Sequence, residues 1–408
     1  MLATILTSLF CLALWLWWRL LPGRQIYPEI RPEKKYSVVL WDFDRPLAGH
    51  ESYREELLSE IQAFNRDFPN IEVDVKLFPW DQGEQVATAI LRRQDVPDVL
   101  SSGPIENLDF GRRVLLSPQH LTEESRLGYV PLAMSALEQG GEYAFWPRYI
   151  KPQLYLANTN LLQIAGVELS TLEQYGLGWA DMLELGQKLS QLPARPFVLA
   201  SFDYEGLLTA VAPREVEEAS AASSNWPQKA AVTAAARLKQ LQDRGFLPPN
   251  ASQDNYSGVR EFFAGQAALL APAEPWLIRA VEGRSDRIER GLLDPGENRP
   301  FPTALIAPKL DPTSGLPAQV EVLVVFRRRR AADEIRAAVE LAQHLSRSGT
   351  LSAKLDLLPA YGPSQDTWCE AWELGNEATL LQVCEHGRIV SPYPNTGLEG
   401  KDVLGRIK

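Results

Sequence analysis

The 408-residue chain is poor in the residues that build disulfide scaffolds and metal sites: it has three cysteines and four histidines. Cys11 lies in an apolar leader, so the body can form at most one bridge. Spacing leaves open whether Cys369 and Cys384 pair or stay as two packed thiols. His50, His120, His344 and His386 are scattered without metal-ligand spacing, which argues against a bound metal. The sequence has no Gly-x-Ser-x-Gly elbow, no phosphate-binding Gly-x-x-x-x-Gly-Lys loop and no Cys-x-x-Cys pair. No cofactor is therefore expected. Carboxylates are plentiful, but no spacing sets two of them up as a glycosidase pair. A basic excess is missing too: the formal net charge of −11 excludes a nucleic-acid backbone as the main partner. There is no internal repeat and no low-complexity segment.

What is present is a folded composition, 45% hydrophobic and 23% charged, behind an unusual start. Met1 to Trp18 carries no charged side chain, and Trp15, Trp17 and Trp18 sit just before Arg19. Apolar residues, then aromatics, then a cation suit a segment ending at a membrane interface. At about 18 residues it is near the minimum for a span. The basic opening and small-residue cut site of a secretory signal are missing, and Phe10 before Cys11 spoils a lipoprotein signal. Residues 1–22 are therefore expected to be an N-terminal membrane anchor or signal segment, with an uncleaved anchor favoured. Residues 23–35, rich in proline and charge, read as a linker.

The body opens on a strand at Tyr36 to Trp41, then a helix with Leu57, Ile61, Phe64 and Phe68 at helical spacing, stopped by Pro69. Ile71 to Leu77 alternates as a second strand. Asp81 precedes a helix carrying Val86 and Ile90, and Pro97-Asp-Val-Leu100 begins a third strand. This order describes a parallel α/β sheet whose ligands collect beyond the strands' C-terminal ends. Further along, Tyr143 to Trp146, Leu154 to Leu156, Phe197 to Ala200, Pro302 to Ala307 and Val320 to Phe326 read as strands. Trp179 to Leu189, Ala230 to Gln242, Val259 to Leu270 and Ala332 to Ser346 read as helices. The run Arg327 to Arg330 reads as a solvated loop, with a phosphate or lipid contact as the other possibility.

In this order the chain resembles the family-1 extracellular solute-binding proteins over residues 36 to 365. The pieces are SVVLWDF, FNRDFPNIEV, WDQGEQVATAILRRQDVPDVL, GGEYAFWPRYIKPQLYLANTNLLQIAGVEL, GLGWADMLELGQKLSQL, EFFAGQAALLAPAEPWL and LLPAYGPS. Two places depart from the family pattern: Ala157-Asn158 stands where Tyr-Asn is usual, and Gly178 where Thr is usual. The resemblance implies an α/β, two-lobed periplasmic-binding-protein fold of type II, each lobe a mostly parallel sheet flanked by helices, with a ligand cleft at the hinge. It implies residues 36–147 plus 303–346 as the first lobe and 148–302 plus 347–408 as the second. It implies a non-enzymatic, extracytoplasmic receptor for a small-molecule carbohydrate, partnered by the permease subunits of an ABC importer and by the membrane through the N-terminal segment. Arg19 and Arg24 pull the other way, since the positive-inside tendency favours a cytoplasmic body. A membrane-anchored ligand sensor or scaffold of the same fold is the alternative.

A sugar site wants aromatic platforms and a few carboxylates, amides and arginines. At the first lobe's strand ends the candidates are Asp44 and Arg45, Trp80 and Asp81, and Ser101 and Ser102. Asp81 reads equally as a helix N-cap, and the two serines as a plain turn. Near the hinge stand Trp146 and Arg148; in the second lobe, Asp203, Tyr204, Glu274 and Trp276; and after the late proline turn, Tyr361. Arg148 and Lys151 would suit an acidic sugar, or face solvent. Trp41 and Trp179 read as packing residues.

Overall fold

The computed structural model describes residues 29–45, 53–92, 96–103, 105, 126–139, 142–143, 145–201, 207, 210–212, 227–249, 257–291, 301–309, 316–326, 330–372 and 377–389. Residues 1–22, on which the anchor expectation rests, lie outside that set. Among the described residues no helix is long and apolar enough to cross a membrane.

Strand β1 (Tyr36–Asp44), helix α1 (Tyr53–Asp67), strand β2 (Ile71–Pro79), helix α2 (Gly83–Leu91) and strand β3 (Val99–Ser101) follow the expected order. Helix α1 buries Leu57, Ile61 and Phe64 at three- and four-residue spacing, with Glu55 and Glu56 in its first turn and Arg66 in its last, matching the helix dipole. The three strands pair in parallel, with Tyr36 opposite Ile71 and Leu40 opposite Val99. Before β1, Arg31 and Lys34 both reach Asp333 at 2.9 Å, clamping the linker to the start of helix α10 (Ala332–Arg347). Arg330 joins the same edge through Asp98 at 2.9 Å, and residues 327–329 lie outside the described set.

Two further strands complete the first sheet's middle: β4 (Trp146–Pro152) and β9 (Pro317–Val325). With β10 (Leu358–Pro359) the order is β10-β4-β9-β3-β1-β2, and β11 (Arg388–Ile389) pairs with β9. The second sheet runs β8 (Thr303–Ile306), β5 (Tyr155–Asn158), β7 (Ala267–Ala271), β6 (Phe197–Ser201). Both sheets are mixed. The strands next to the crossings, β4 and β9 in one and β5 and β8 in the other, run antiparallel to the strands beside them in that order, while the short β11 pairs with β9 in parallel. Each of these antiparallel pairs joins segments more than a hundred residues apart in sequence, so no single βαβ crossover dictates their direction.

The sheet pairing corrects two expected boundaries. Strand β8 pairs with β5 of the second lobe, so the chain crosses back after residue 306 and not at 303. The segment after 347 stays with the first sheet: Leu358 pairs with Ile150, which gives β4 a partner on its open edge. Trp368, Trp372, Leu380 and Val383 then join the main apolar cluster, which reaches both sheets. One further expectation fails, the helix over Val259 to Leu270. Helix α8 (Ser257–Phe263) stops before Gly265, and Ala267–Ala271 is the fully buried strand β7. A short apolar run buried on every side carries no period, so helix and strand read alike in it.

Helix α9 (Pro275–Glu289) of the second lobe leans on the first: Arg279 Nε lies 2.5 Å from Asp356 Oδ1, and its guanidinium stands 4.9 Å above Trp372. The main apolar cluster accordingly runs unbroken from Leu57 and Phe64 through Leu154 and Leu156 to Trp276 and Leu277. A second cluster packs helix α6 (Trp179–Ser190) on the other sheet, and there Gly186 faces Phe246. A Cβ at Gly186 would stand 2.4 Å from the Phe246 ring. Alanine is the better helix former by about 1 kcal/mol, yet overpacking costs about 1–3 kcal/mol. Gly186→Ala is therefore expected to lower the melting temperature; an unchanged or higher value would show that Phe246 moves aside freely.

Candidate functional site

The carboxyl edge of the first sheet carries a buried charge cluster. A β-bulge between Glu321 and Val322 leaves Arg148 opposite no residue of β9: Glu321 pairs with Tyr149 and Val322 with Pro147. A bulge of this kind re-aims the extra side chain. The Arg148 side chain is fully buried, and its Nη1 donates to Asp42 Oδ2 at 2.8 Å and to Ser101 Oγ at 3.2 Å. Ser101 in turn donates to Glu321 Oε1 at 2.9 Å, the same oxygen that pairs with Arg45. Tyr53, at the start of α1, donates to Asp42 Oδ2 at 2.6 Å.

Aromatic rings line this cluster. The Arg45 guanidinium lies 5.0 Å from the Trp80 ring centre, 5.2 Å from that of Tyr149 and 5.6 Å from that of Tyr53. Lys151, two residues beyond Tyr149 on β4, places its ammonium 5.3 Å from the Trp80 ring. Gln319 pairs with Lys151 across the ladder, and the Gln153 N–H donates to Pro317 O at 2.9 Å. The cluster therefore abuts the two crossing strands, where hinge movement would be felt.

Its electrostatics favour fixed charge over proton transfer. Burial by itself would raise the Glu321 carboxyl, but Arg45, Lys151 and Arg148 outweigh it and hold the pKa at about 2. Burial pushes the Tyr149 phenol up to about 12 against the opposing pull of Arg148 and Arg45. Tyr53 is raised by burial as well. For Arg45 burial works against the charge, but Glu321 and its neighbours outweigh it and the pKa rises. Several polar atoms nonetheless find no hydrogen-bond partner among the described residues. They are Arg45 Nε, Arg148 Nε and Nη2, Tyr149 OH, Gln319 Nε2, Gln153 Oε1 and Glu321 Oε2. Buried groups in this state call for water or a polar ligand.

Of the residues expected from sequence, the structure brings Arg45, Trp80, Ser101 and Arg148 together. Asp44 ends β1 and is exposed. Asp81 lies in a single 3-10 turn, Trp80–Gln82, and the residue that caps α2 is Gln82. Ser102 is spent on β9: its Oγ accepts from the Val322 N–H at 2.9 Å, and its own N–H donates to Val322 O at 2.8 Å. Trp146 is fully buried in the main apolar cluster. Glu274 caps α9 and accepts from Trp276 Nε1 at 2.9 Å, and Trp276 packs in the core. Tyr361 packs edge-on against Tyr129 at 5.2 Å, under Arg347. Asp203 and Tyr204 lie outside the described residues.

Lys151 was named from sequence as suited to an acidic sugar or else facing solvent; Asp42, Tyr53, Tyr149, Gln319 and Glu321 were not singled out as site residues. The signal was there for two of them: Asp42 and Glu321 are carboxylates inside apolar strands, which require buried partners. Cys369 and Cys384 are reduced thiols, and burial raises the Cys384 thiol to about 12.

No family model matches the chain, and no curated protein matches it by sequence. Solved structures do match it in shape. The GacH receptor of Streptomyces glaucescens, solved without ligand and with acarbose, is 16% identical at a TM-score of 0.61, covering 92% of this chain and 95% of that one. An ABC substrate-binding protein of Listeria monocytogenes in complex with cycloalternan is 14% identical at 0.62, covering 92% and 95%. Maltose-bound MalE3 of T. maritima is 14% identical at 0.62, covering 90% and 91%. At these identities the likeness establishes the two-lobed periplasmic-binding-protein fold.

Proposed function

We propose that this chain is an extracytoplasmic receptor that captures a sugar or oligosaccharide by hinge closure and delivers it to the permease of an ABC importer. The observation that carries the reading is the cluster of Arg45, Trp80, Tyr149, Lys151 and Glu321 at the carboxyl edge, beside both crossing strands. Open α/β sheets bind ligands at that edge, and closure about such crossings buries a ligand between lobes. Aromatic faces with amide, carboxylate and guanidinium groups match a sugar's apolar faces and hydroxyls. The matched structures support the same reading, since those compared above hold acarbose, cycloalternan or maltose. The cluster holds its charges fixed, so binding without bond cleavage is the expected chemistry. In this reading residues 1–22 tether the body to the outer face of the membrane.

A thermal-shift screen of the full-length chain in mild detergent tests the proposal, with neutral sugars, uronic acids, oligosaccharides, polyols and amino acids as probes. A solute that binds only the folded state stabilises it by about 2.7 kcal/mol at a hundredfold excess over its Kd. A shift confined to one carbohydrate class is the expected result. Silence across the panel would sink the transport reading and turn attention to the sensor or scaffold role.

A further inference from the structure

The orphan polar atoms of the cluster are unequal in kind. Arg45 Nε, Arg148 Nε and Nη2, Gln319 Nε2 and the Tyr149 hydroxyl can donate; only Glu321 Oε2 and Gln153 Oε1 are pure acceptors. Charge is unbalanced in the same direction. Arg45 and Arg148 are matched by Glu321 and Asp42. Half-buried Lys151 is a third cation on those two carboxylates: it shares the field of Glu321 with Arg45 and Arg148, makes no close ion pair of its own among the described residues, and faces the Trp80 ring at 5.3 Å. Asp44 is exposed at the end of β1 and makes no ion pair with these cations among the described residues. Each hydroxyl of a neutral sugar can accept, but it also brings a donor that needs an acceptor of its own and carries no charge, so a neutral sugar matches this donor excess less well. A carboxylate or sulfate ester brings only acceptors, together with the missing negative charge.

We propose that the solute is an acidic saccharide, its carboxylate or sulfate oxygens held by Lys151 and Gln319 while the Trp80 ring takes an apolar sugar face. This rests on the receptor reading and narrows it. An ammonium beside an indole is well placed for the task, since the ring covers the sugar's C–H face while the charge stays at its rim.

Isothermal titration of the full-length chain in mild detergent tests the proposal. The probes are galacturonate and glucuronate trisaccharides, a sulfated trisaccharide, and neutral trisaccharides of the same linkages. An acidic probe is expected to bind at least about tenfold tighter than its neutral counterpart, as a charge-assisted hydrogen bond provides. That ratio should shrink as salt is raised. Lys151→Met should bring it close to one, with Lys151→Arg retaining it and thermal melts confirming that both variants fold. The uronate and sulfate arms tell the two sources of negative charge apart. Equal or better binding of the neutral probes, or a ratio untouched in K151M, would overturn the acidic assignment and leave the receptor standing. Binding of no probe in either class would remove the receptor reading, and this inference with it.

Discussion

Arg148→Met is expected to lower the unfolding free energy by about 3–5 kcal/mol, the usual cost of taking one partner from a buried ion pair. The size follows from what the substitution leaves behind. Asp42 is fully buried, and among the described residues it keeps the Tyr53 hydroxyl at 2.6 Å and the Phe43 N–H at 2.8 Å once the guanidinium is gone. Ser101 loses a donor at 3.2 Å in the same step. Methionine fills much of the arginine's volume, so the deficit is electrostatic rather than a cavity. The double variant Asp42→Asn with Arg148→Met removes both charges and should recover a large part of the loss. Denaturant unfolding of the two single variants and the double one measures the coupling directly. A single variant that costs under about 1 kcal/mol would show that water reaches the pair, as for exposed ion pairs.

The second large effect is an acid transition owed to Glu321. Its carboxyl is held at about 2 in the fold against 4.5 for the free side chain. A depressed carboxyl contributes stability above its unfolded value and loses it as pH falls toward the folded one. The unfolded chain binds the extra proton between those limits, so unfolding becomes easier there. At 1.36 kcal/mol per unit the contribution is about 3 kcal/mol, lost between about pH 4.5 and 2. Asp333, held down by hydrogen bonds from Lys34 and Arg31, and Glu60, where burial is outweighed by His344, Ser348 and Arg148 together, push the same way. Glu321→Gln separates them. The variant should be the less stable protein at neutral pH, because Arg45 stays buried facing an amide, and the gap should close as pH approaches 2. A gap that holds constant with pH would mean Glu321 titrates alike in both states.

The parallel start of the fold was legible because β1, α1 and β2 carry clean periods and a proline stop. Strand β7 was not, since Ala267 to Ala271 is apolar at every position. The late return of Leu358–Pro359 to the first sheet was also hidden: two residues fix no period, and their partner at Ile150 is about two hundred positions away. Within the site, residues at strand ends were found by position alone, which singled out Arg45, Trp80 and Ser101. Arg148 and Lys151 were named from their place near the hinge, but how they meet Asp42, Tyr149, Gln319 and Glu321 depends on register. Only the bulge at Arg148 and the pairing of Tyr149 with Glu321 place those groups together, and neither leaves a local mark in the sequence.

The clamp of Arg31 and Lys34 on Asp333 bears on posture. If residues 1–22 sit in a bilayer, as the proposed reading has it, eight residues, 23–30, separate them from Arg31, and eight residues span at most roughly 28 Å. That stretch leaves the body at the amino end of β1, while Arg45 follows the other end of that nine-residue strand, about 30 Å away. On that premise the mouth of the site would look outward, away from the lipid, while the clamp holds. Delivery to a permease in the same bilayer, as the receptor reading proposes, would then require the body to turn over within that reach, or the clamp to open at its solvent-screened Arg31 arm.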